Sequence, residues 1–531
     1  MGERADSALN AGRRSRELAQ LADRPTVDLL VVGGGITGAG VALDAASRGL
    51  SVVLAERADL ANGTSRWSSK LVHGGLRYLA HGDVGVAHES AVERGRIMGV
   101  IAPHLCRALP MLLPLTPGLP RRGRLETRAG LAAGDLLRLA AWTGRDRLPA
   151  ARRLSRSGTL AAVPGLRADT TGAFLSFDGQ LTDDARLVVA VARTAAAHGA
   201  MILTRCEASA VSGGGATLTD RLTGESIALN ARAVVTAAGV WAGGLVPGVE
   251  LRPSRGTHLV LADSAFAASG LADSVCAASG LRAGLTVPVP GERARFVFAL
   301  PVPGERRVYV GLTDEPVEPG QPLPEVPEPS EAEIDFLLAT ISSVLATPLS
   351  RADVAGGYAG LRPLLAGRAD STADLSRKHT VLVPPDGPVT IVGGKLTTYR
   401  RMAQDAVDAA LRQPGLAART AGRCRTMRLP LVGAAPPAEL RRIAAPARLV
   451  ARYGTEAADV LALAQADPLL REPLTPGGVT IAAELAFGLQ REGALDAGDL
   501  LDRRTRIGLV AADRRAALPA AQAVLKRYGA A

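Results

Sequence analysis

A short, almost unbroken apolar run from Val27 to Val32 ends in three glycines, the pattern of a strand buried in a parallel sheet. Apolar positions then recur at helical spacing from Ile36 to Arg48, and Gly49 supplies the stop. A second run, S-V-V-L-A-E, ends in Glu56 and completes a β-α-β unit. Two later stretches repeat parts of this grammar. Ala233 to Ala242 reads as an apolar strand breaking at Gly239, and Val389 to Arg400 as a strand, a Gly-Gly turn and a helix start. Ser330 with Glu333 forms a capping box that should open a helix running to about 345. Residues 1–25 read as a charged, partly helical extension, and 421–531 as an Ala/Leu-rich helical domain.

The glycines of the first unit, Gly33, Gly35 and Gly38, fit the G-x-G-x-x-G dinucleotide fingerprint, and they sit between a strand and a helix as that mechanism demands. The first permits a tight turn, the second a close approach by pyrophosphate, the third close packing of helix on strand. Unpaired N–H groups and the helix dipole favour an anion there. Glu56, about twenty residues on, suits ribose hydroxyls and argues against a 2′-phosphate. This unit alone leaves FAD and NAD both open. The additional glycine-ended strands at Gly239 and Gly394 favour one long cofactor touching several strand ends, although ordinary glycine turns of the same sheet would look alike.

At 531 residues the chain is expected to form two or three domains. The net charge of +11 admits nucleic acid, an anionic membrane or acidic metabolites, but aromatics are only 3% and do not interleave with the basic runs, so nucleic acid is not expected. Residues 105–156 concentrate arginine among apolar pieces. They read either as a solvated basic surface or as a platform setting apolar residues into a leaflet and arginines against lipid phosphates. Four scattered cysteines suggest reduced thiols in a cytoplasmic protein, no metal-ligand spacing occurs, and neither a signal peptide nor a spanning apolar stretch is visible. A tandem decapeptide at 261–280 reads as a local duplication.

The candidate chemistry begins about thirty residues after the fingerprint, in S-S-K-L-V-H-G-G-L-R-Y. This string supplies Ser68, Ser69, Lys70, His73, Arg77 and Tyr78 around a Gly-Gly hinge. Further candidates are Arg255, His258, Arg362, Arg377, Lys395 and Thr397. Guanidinium groups suit a phosphate, and a lysine serves as a point charge near a developing alkoxide. Only four of the 62 basic residues are lysines, so Lys70 and Lys395 stand out.

The first β-α-β unit, S-S-K-L-V-H-G-G-L-R-Y-L, F-D-G-Q-L-T-D-D-A-R-L, A-G-L-R-P-L and G-G-K-L-T-T-Y-R together resemble the FAD-dependent glycerol-3-phosphate dehydrogenases. In the terminal region R-Y-G-T-E and D-L-L-D-R-R-T-R also match that family. The resemblance implies an α/β fold. A Rossmann-like FAD-binding domain of the D-amino-acid-oxidase or glutathione-reductase type would combine with an antiparallel-sheet substrate domain over 26–420. Its FAD-binding segments would fall at about 27–105, 180–245 and 350–412, and a C-terminal helical domain would follow. It further implies oxidation of sn-glycerol 3-phosphate to dihydroxyacetone phosphate, with electrons passed to membrane quinone. Arg77, Tyr78 and Arg377 would hold the phosphate, Arg362 and Lys395 would surround the reacting hydroxyl and carbonyl, and His73 or His258 would be the base. Gly33, Gly35, Gly38, Glu56, Ser68, Ser69, Lys70, Gly239, Gly394 and Thr397 would contact FAD. A peripheral location on the inner face of the cell membrane and a homodimer are the corresponding expectations. The chain departs from the family pattern at Leu312, where threonine is usual, and at Arg66-Trp67, where small residues are common. An oxidase using oxygen, an amine oxidase of the same fold and a non-catalytic flavin- or anion-binding module are the competing readings.

Overall fold

The computed structural model describes residues 6–75, 83–117, 121–267, 280–292, 295–318, 320–366 and 378–529. Among these residues two sheets carry the architecture. In the first, an eight-stranded sheet, Val389–Val392, Ser226–Thr236, Thr26–Val32, Val52–Ala55 and Met201–Leu203 lie side by side and parallel. Every residue of Val52–Ala55 and all but the first of Thr26–Val32 are buried, as expected for strands covered on both faces.

The helix Ile36–Ser47 is buried along nearly its whole length, because the helices Asp184–Ala196 and Tyr399–Ala410 pack beside it in one apolar cluster. Gly35 caps it and Gly49 follows it with φ +91°. The extension forms a helix, Ala11–Asp23, which lays Leu21 against the opposite sheet face.

The second sheet is ten-stranded and mostly antiparallel, with the helix Glu331–Ser342 packed on it. Ser330 and Glu333 form the reciprocal capping box. One of its strands, Cys106–Pro114, lies where the sequence suggested only an apolar piece of a basic stretch. Pro110 and Pro114 interrupt the strand pattern there, yet the segment pairs along its whole length with Gly172–Leu181. The helix Arg121–Ala140 follows. The terminal helices enclose their own apolar cluster around Tyr453, Phe487 and Leu500. Buried ion pairs, among them Arg186 with Glu492, join them to the rest. This is an α/β fold with a C-terminal helical domain. Residues 268–279, most of the duplication, lie outside the described residues.

Candidate active site

The carboxyl end of the first strand makes a cradle that only glycine allows. Gly33 has φ +112°, and a Cβ there would lie 2.6 Å from the Ala237 carbonyl oxygen. A Cβ on Gly38 would lie 1.8 Å from the Gly33 oxygen, so helix and strand touch backbone to backbone. The Gly34 N–H donates to one oxygen of Glu56 at 2.6 Å and the Ala58 N–H to the other at 2.8 Å. Burial pushes the Glu56 carboxyl up, against these two bonds. Ser65 was not anticipated. Its hydroxyl accepts from the Ile36 N–H at 2.9 Å, at the helix start where an anion would sit.

This cradle forms one end of a cavity of about 1950 Å³. Gly33, Gly35, Glu56, Gly239, Gly394 and Thr397 line it, as do Ser68, Ser69, His73, His258, Arg362 and Lys395. Residues as distant in sequence as 33 and 397 therefore line one cavity. A glycine cradle backed by a carboxylate and opening into a long cavity suits an adenine dinucleotide that extends past several strand ends.

The reactive end is built by cross-strand register. The strand Ser254–Ala262 runs antiparallel to Val354–Arg362, pairing His258 with Tyr358, Gly256 with Gly360 and Ser254 with Arg362. The His258 ring consequently stacks on Tyr358, centroids 4.8 Å apart. The glycine pair opens space between the two larger pairs. A Cβ on Gly256 would sit 2.1 Å from the Arg362 guanidinium, and one on Gly360 would lie 2.5 Å from Trp67. Arg362 donates to Asp314 at 2.8 Å, to Ser254 at 2.9 Å and to the Thr313 carbonyl at 2.9 Å, which fixes its plane.

His258 is 2% exposed, and Ser69 Oγ shares a 2.8 Å hydrogen bond with its Nε2. Its Nδ1 has no hydrogen-bond partner among the described residues. Burial, then the charges of Lys70 and Arg362, push its pKa well below the usual histidine value. The ring is therefore held in its neutral form, and its surroundings oppose the imidazolium.

Lys70 does not reach the cavity, contrary to its expected place at the cofactor. Its backbone is left-handed (φ +56°), and its ammonium is buried 3.3 Å from both Asp184 and the Tyr358 hydroxyl, over the rings of Tyr309 and Tyr358. Burial pushes it down to about 8 despite Asp184. Ser68 lines the cavity but spends its hydroxyl and N–H on Asp184, at 2.8 and 2.9 Å.

Lys395 follows two left-handed glycines, Gly393 and Gly394, and donates to Ser90 at 2.9 Å. Ser90 belongs to the helix Val84–Arg96, whose Arg94 donates to Asp178 at 2.6 Å. The same Asp178 oxygen accepts from the Gly74 N–H at 3.0 Å, so this helix steadies the His73-Gly74 turn as well. Ser90 lies in no motif, and Asp178, although it belongs to the F-D-G-Q-L-T-D-D-A-R-L stretch, was not singled out. Arg255 pairs with Glu333. Arg77, Tyr78 and Arg377 lie outside the described residues.

Fold, cradle and cavity define the class of an FAD-dependent oxidoreductase. Residues 28–384 match the family model described as FAD dependent oxidoreductase, and 424–529 that of the C-terminal domain of alpha-glycerophosphate oxidase. Glycerol-3-phosphate dehydrogenase 1 of Mycobacterium tuberculosis is 52% identical over 529 residues, covering 98% of this chain and 99% of that protein. The mitochondrial glycerol-3-phosphate dehydrogenase SDP6 of Arabidopsis thaliana is 33% identical over 95% of this chain and 83% of its own length. Among solved structures, the glycerol-3-phosphate dehydrogenase of Bacillus halodurans complexed with FAD aligns with a TM-score of 0.71 at 27% identity. It covers 98% of this chain and 94% of its own. The chain belongs to the FAD-dependent glycerol-3-phosphate dehydrogenase family.

Proposed function

We propose that this protein oxidises sn-glycerol 3-phosphate to dihydroxyacetone phosphate and passes the electrons to a membrane quinone. The observation that carries the reading is the meeting of a neutral, buried His258 with Arg362 and Lys395 in the cavity that the glycine cradle opens. FAD, held by the glycine cradle and Glu56, would supply the acceptor for the hydride of carbon 2 of the alcohol. The chain's own part is to take the hydroxyl proton on a histidine and to hold the oxygen. His258 suits the proton because it is uncharged and its Nδ1 is uncommitted among the described residues. His73, which lines the same cavity, is the alternative acceptor. Arg362 and Lys395 place positive charge beside the oxygen as it becomes a carbonyl. Arg77, Tyr78 and Arg377 are assigned to the phosphate.

The membrane part of the reading is supported by the helix Arg121–Ala140 and the turn after it. Leu125, Leu136 and Leu139 recur at helical spacing and stand exposed, and Trp142 is 93% exposed. Arg128, Arg145 and Arg147 are exposed around them. Exposed apolar side chains in a stretch rich in exposed arginine suit an anionic bilayer surface. No helix among the described residues is long and apolar enough to cross a membrane.

Anaerobic mixing of the yellow holoprotein with glycerol 3-phosphate tests the chemistry. The flavin absorbance is expected to bleach with glycerol 3-phosphate and to persist with glycerol, and persistence with both overturns the reading. Quinone carried in anionic vesicles should then restore the colour faster than oxygen does. Replacing Leu139 and Trp142 by serine should slow the vesicle reaction about tenfold and leave bleaching unchanged. Faster restoration by oxygen would make the protein an oxidase.

A further inference from the structure

The segment between the nucleotide acid and the serine pair, residues 57–70, is short, and it carries unusual backbone. Ala61 and Lys70 are both left-handed without being glycine, at φ +61° and +56°. Such conformations persist where the surroundings over-determine them. Between these two positions the C-terminal domain grips the segment, through the tetrapeptide Arg503-Arg504-Thr505-Arg506.

Arg504 donates to both oxygens of Asp59, at 2.7 and 2.9 Å, with the two side chains fully buried. Arg503 adds a third bond to Asp59 at 2.6 Å. Burial alone would raise the Asp59 carboxyl, but the two guanidinium groups hold it well below the usual range. Arg506, itself left-handed at φ +65°, reaches the other end of the same segment. It donates to the Arg66 carbonyl at 2.5 Å and lies 5.1 Å from the centre of the Trp67 ring. Arg66 itself lies 4.1 Å from that ring. Trp67 stacks near Tyr358, and two residues on Ser69 bonds His258. The Arg506 charge also helps Lys70 to hold Asp184, the acceptor for Ser68, below the usual carboxylate range against the effect of burial. One edge of the terminal domain thus grips both Asp59, three residues past Glu56, and Trp67, two residues before Ser69.

A fully buried ion pair is weak evidence for stability, since apolar packing often replaces it without loss. Its fork geometry, by contrast, fixes orientation. We propose that Arg503, Arg504 and Arg506 are positioning residues: the C-terminal domain sets the register of residues 57–70, so that Glu56 meets the nucleotide while Ser69 meets His258. The inference rests on the proposed alcohol oxidation for its kinetic consequence, and its structural consequence stands without it.

The test compares the wild-type holoprotein with Arg506→Met and Arg506→Lys. Arg514→Ala, which breaks a half-exposed bridge to Asp502 in the same domain, serves as the control. Hydrogen exchange followed by mass spectrometry should rise in peptides covering 57–70 in Arg506→Met, while peptides of the terminal helices and of the parallel sheet stay protected. At saturating glycerol 3-phosphate, flavin bleaching should slow about tenfold in Arg506→Met and less in Arg506→Lys, with flavin content and KM held within about twofold. Unchanged exchange over 57–70 overturns the proposal. So do wild-type bleaching rates in both variants, or a rate loss that only tracks lost flavin. Should Arg506→Met fail to fold, Arg506→Lys decides, because it keeps charge and bulk but cannot span the Arg66 carbonyl and Trp67 together. A wild-type protein that glycerol 3-phosphate does not bleach sinks the proposed function instead, and the exchange result still judges the positioning.

Discussion

A buried histidine can accept a proton only if it is neutral when the alcohol arrives, and His258 meets that condition by its surroundings. Burial removes the water that would stabilise an imidazolium, and the charges of Lys70 and Arg362 add to the penalty. Its pKa therefore lies well below that of a free histidine, and the neutral form prevails on both sides of neutrality. The rate of flavin bleaching at saturating glycerol 3-phosphate should accordingly stay level from about pH 6 to about pH 7, below the value of about 8 at which Lys70 loses its charge. An inflection near the ordinary histidine value would contradict this, and would point to a solvated base. Lysine scarcity made Lys70 and Lys395 conspicuous in the sequence, and the two have parted company. Lys395 lines the cavity, following the left-handed Gly393 and Gly394. Lys70 turns inward to Asp184, because a left-handed backbone and two tyrosines contributed by distant strands decide its direction. No local pattern encodes that. Ser69 and Ser65 were legible only as members of a string or not at all, since their partners, His258 and the Ile36 N–H, lie 189 and 29 residues away.

At the scale of elements, period and capping chemistry made most of the first sheet readable. A strand running into glycines, a buried helix and a second strand ending in an acid all declare themselves locally. The second sheet was harder, because several of its strands carry proline and pair across long stretches of chain. Its contribution to the site comes from register, in which Gly256 opposite Gly360 makes room between His258–Tyr358 and Ser254–Arg362. A Cβ on Gly256 has nowhere to go but into the Arg362 guanidinium, which Asp314 and Ser254 hold in place. Gly256→Ala should therefore leave flavin content near wild type and lower kcat/KM by about a hundredfold, as expected when a catalytic group shifts by about an ångström. Steady-state kinetics beside an absorbance ratio for bound flavin would check it. Wild-type kcat/KM would mean that Arg362 does not act from the position seen here.

For the whole molecule, two sheets line one cavity and a third unit braces part of its wall. The parallel sheet supplies the cradle, the antiparallel sheet supplies His258 and Arg362, and the terminal domain grips the segment that joins them. The terminal domain's role was not legible from periodicity, which showed helices without showing that Asp59 and Trp67 lay beneath them. The departure at Arg66-Trp67 falls where Arg506 docks, so an oddity of local sequence acquires a tertiary partner. The charge of +11 belongs to the same scale: it suits an anionic surface, and the exposed leucines and Trp142 beside exposed arginines show where such a surface would bear. The central claim, that this assembly removes hydride from carbon 2 of glycerol 3-phosphate, is tested most directly by stopped-flow bleaching of the flavin with substrate deuterated at that carbon. A large primary isotope effect on bleaching, with dihydroxyacetone phosphate formed in equal amount to flavin reduced, is the expected result. Bleaching at the same rate with either isotope, or none at all, would contradict it.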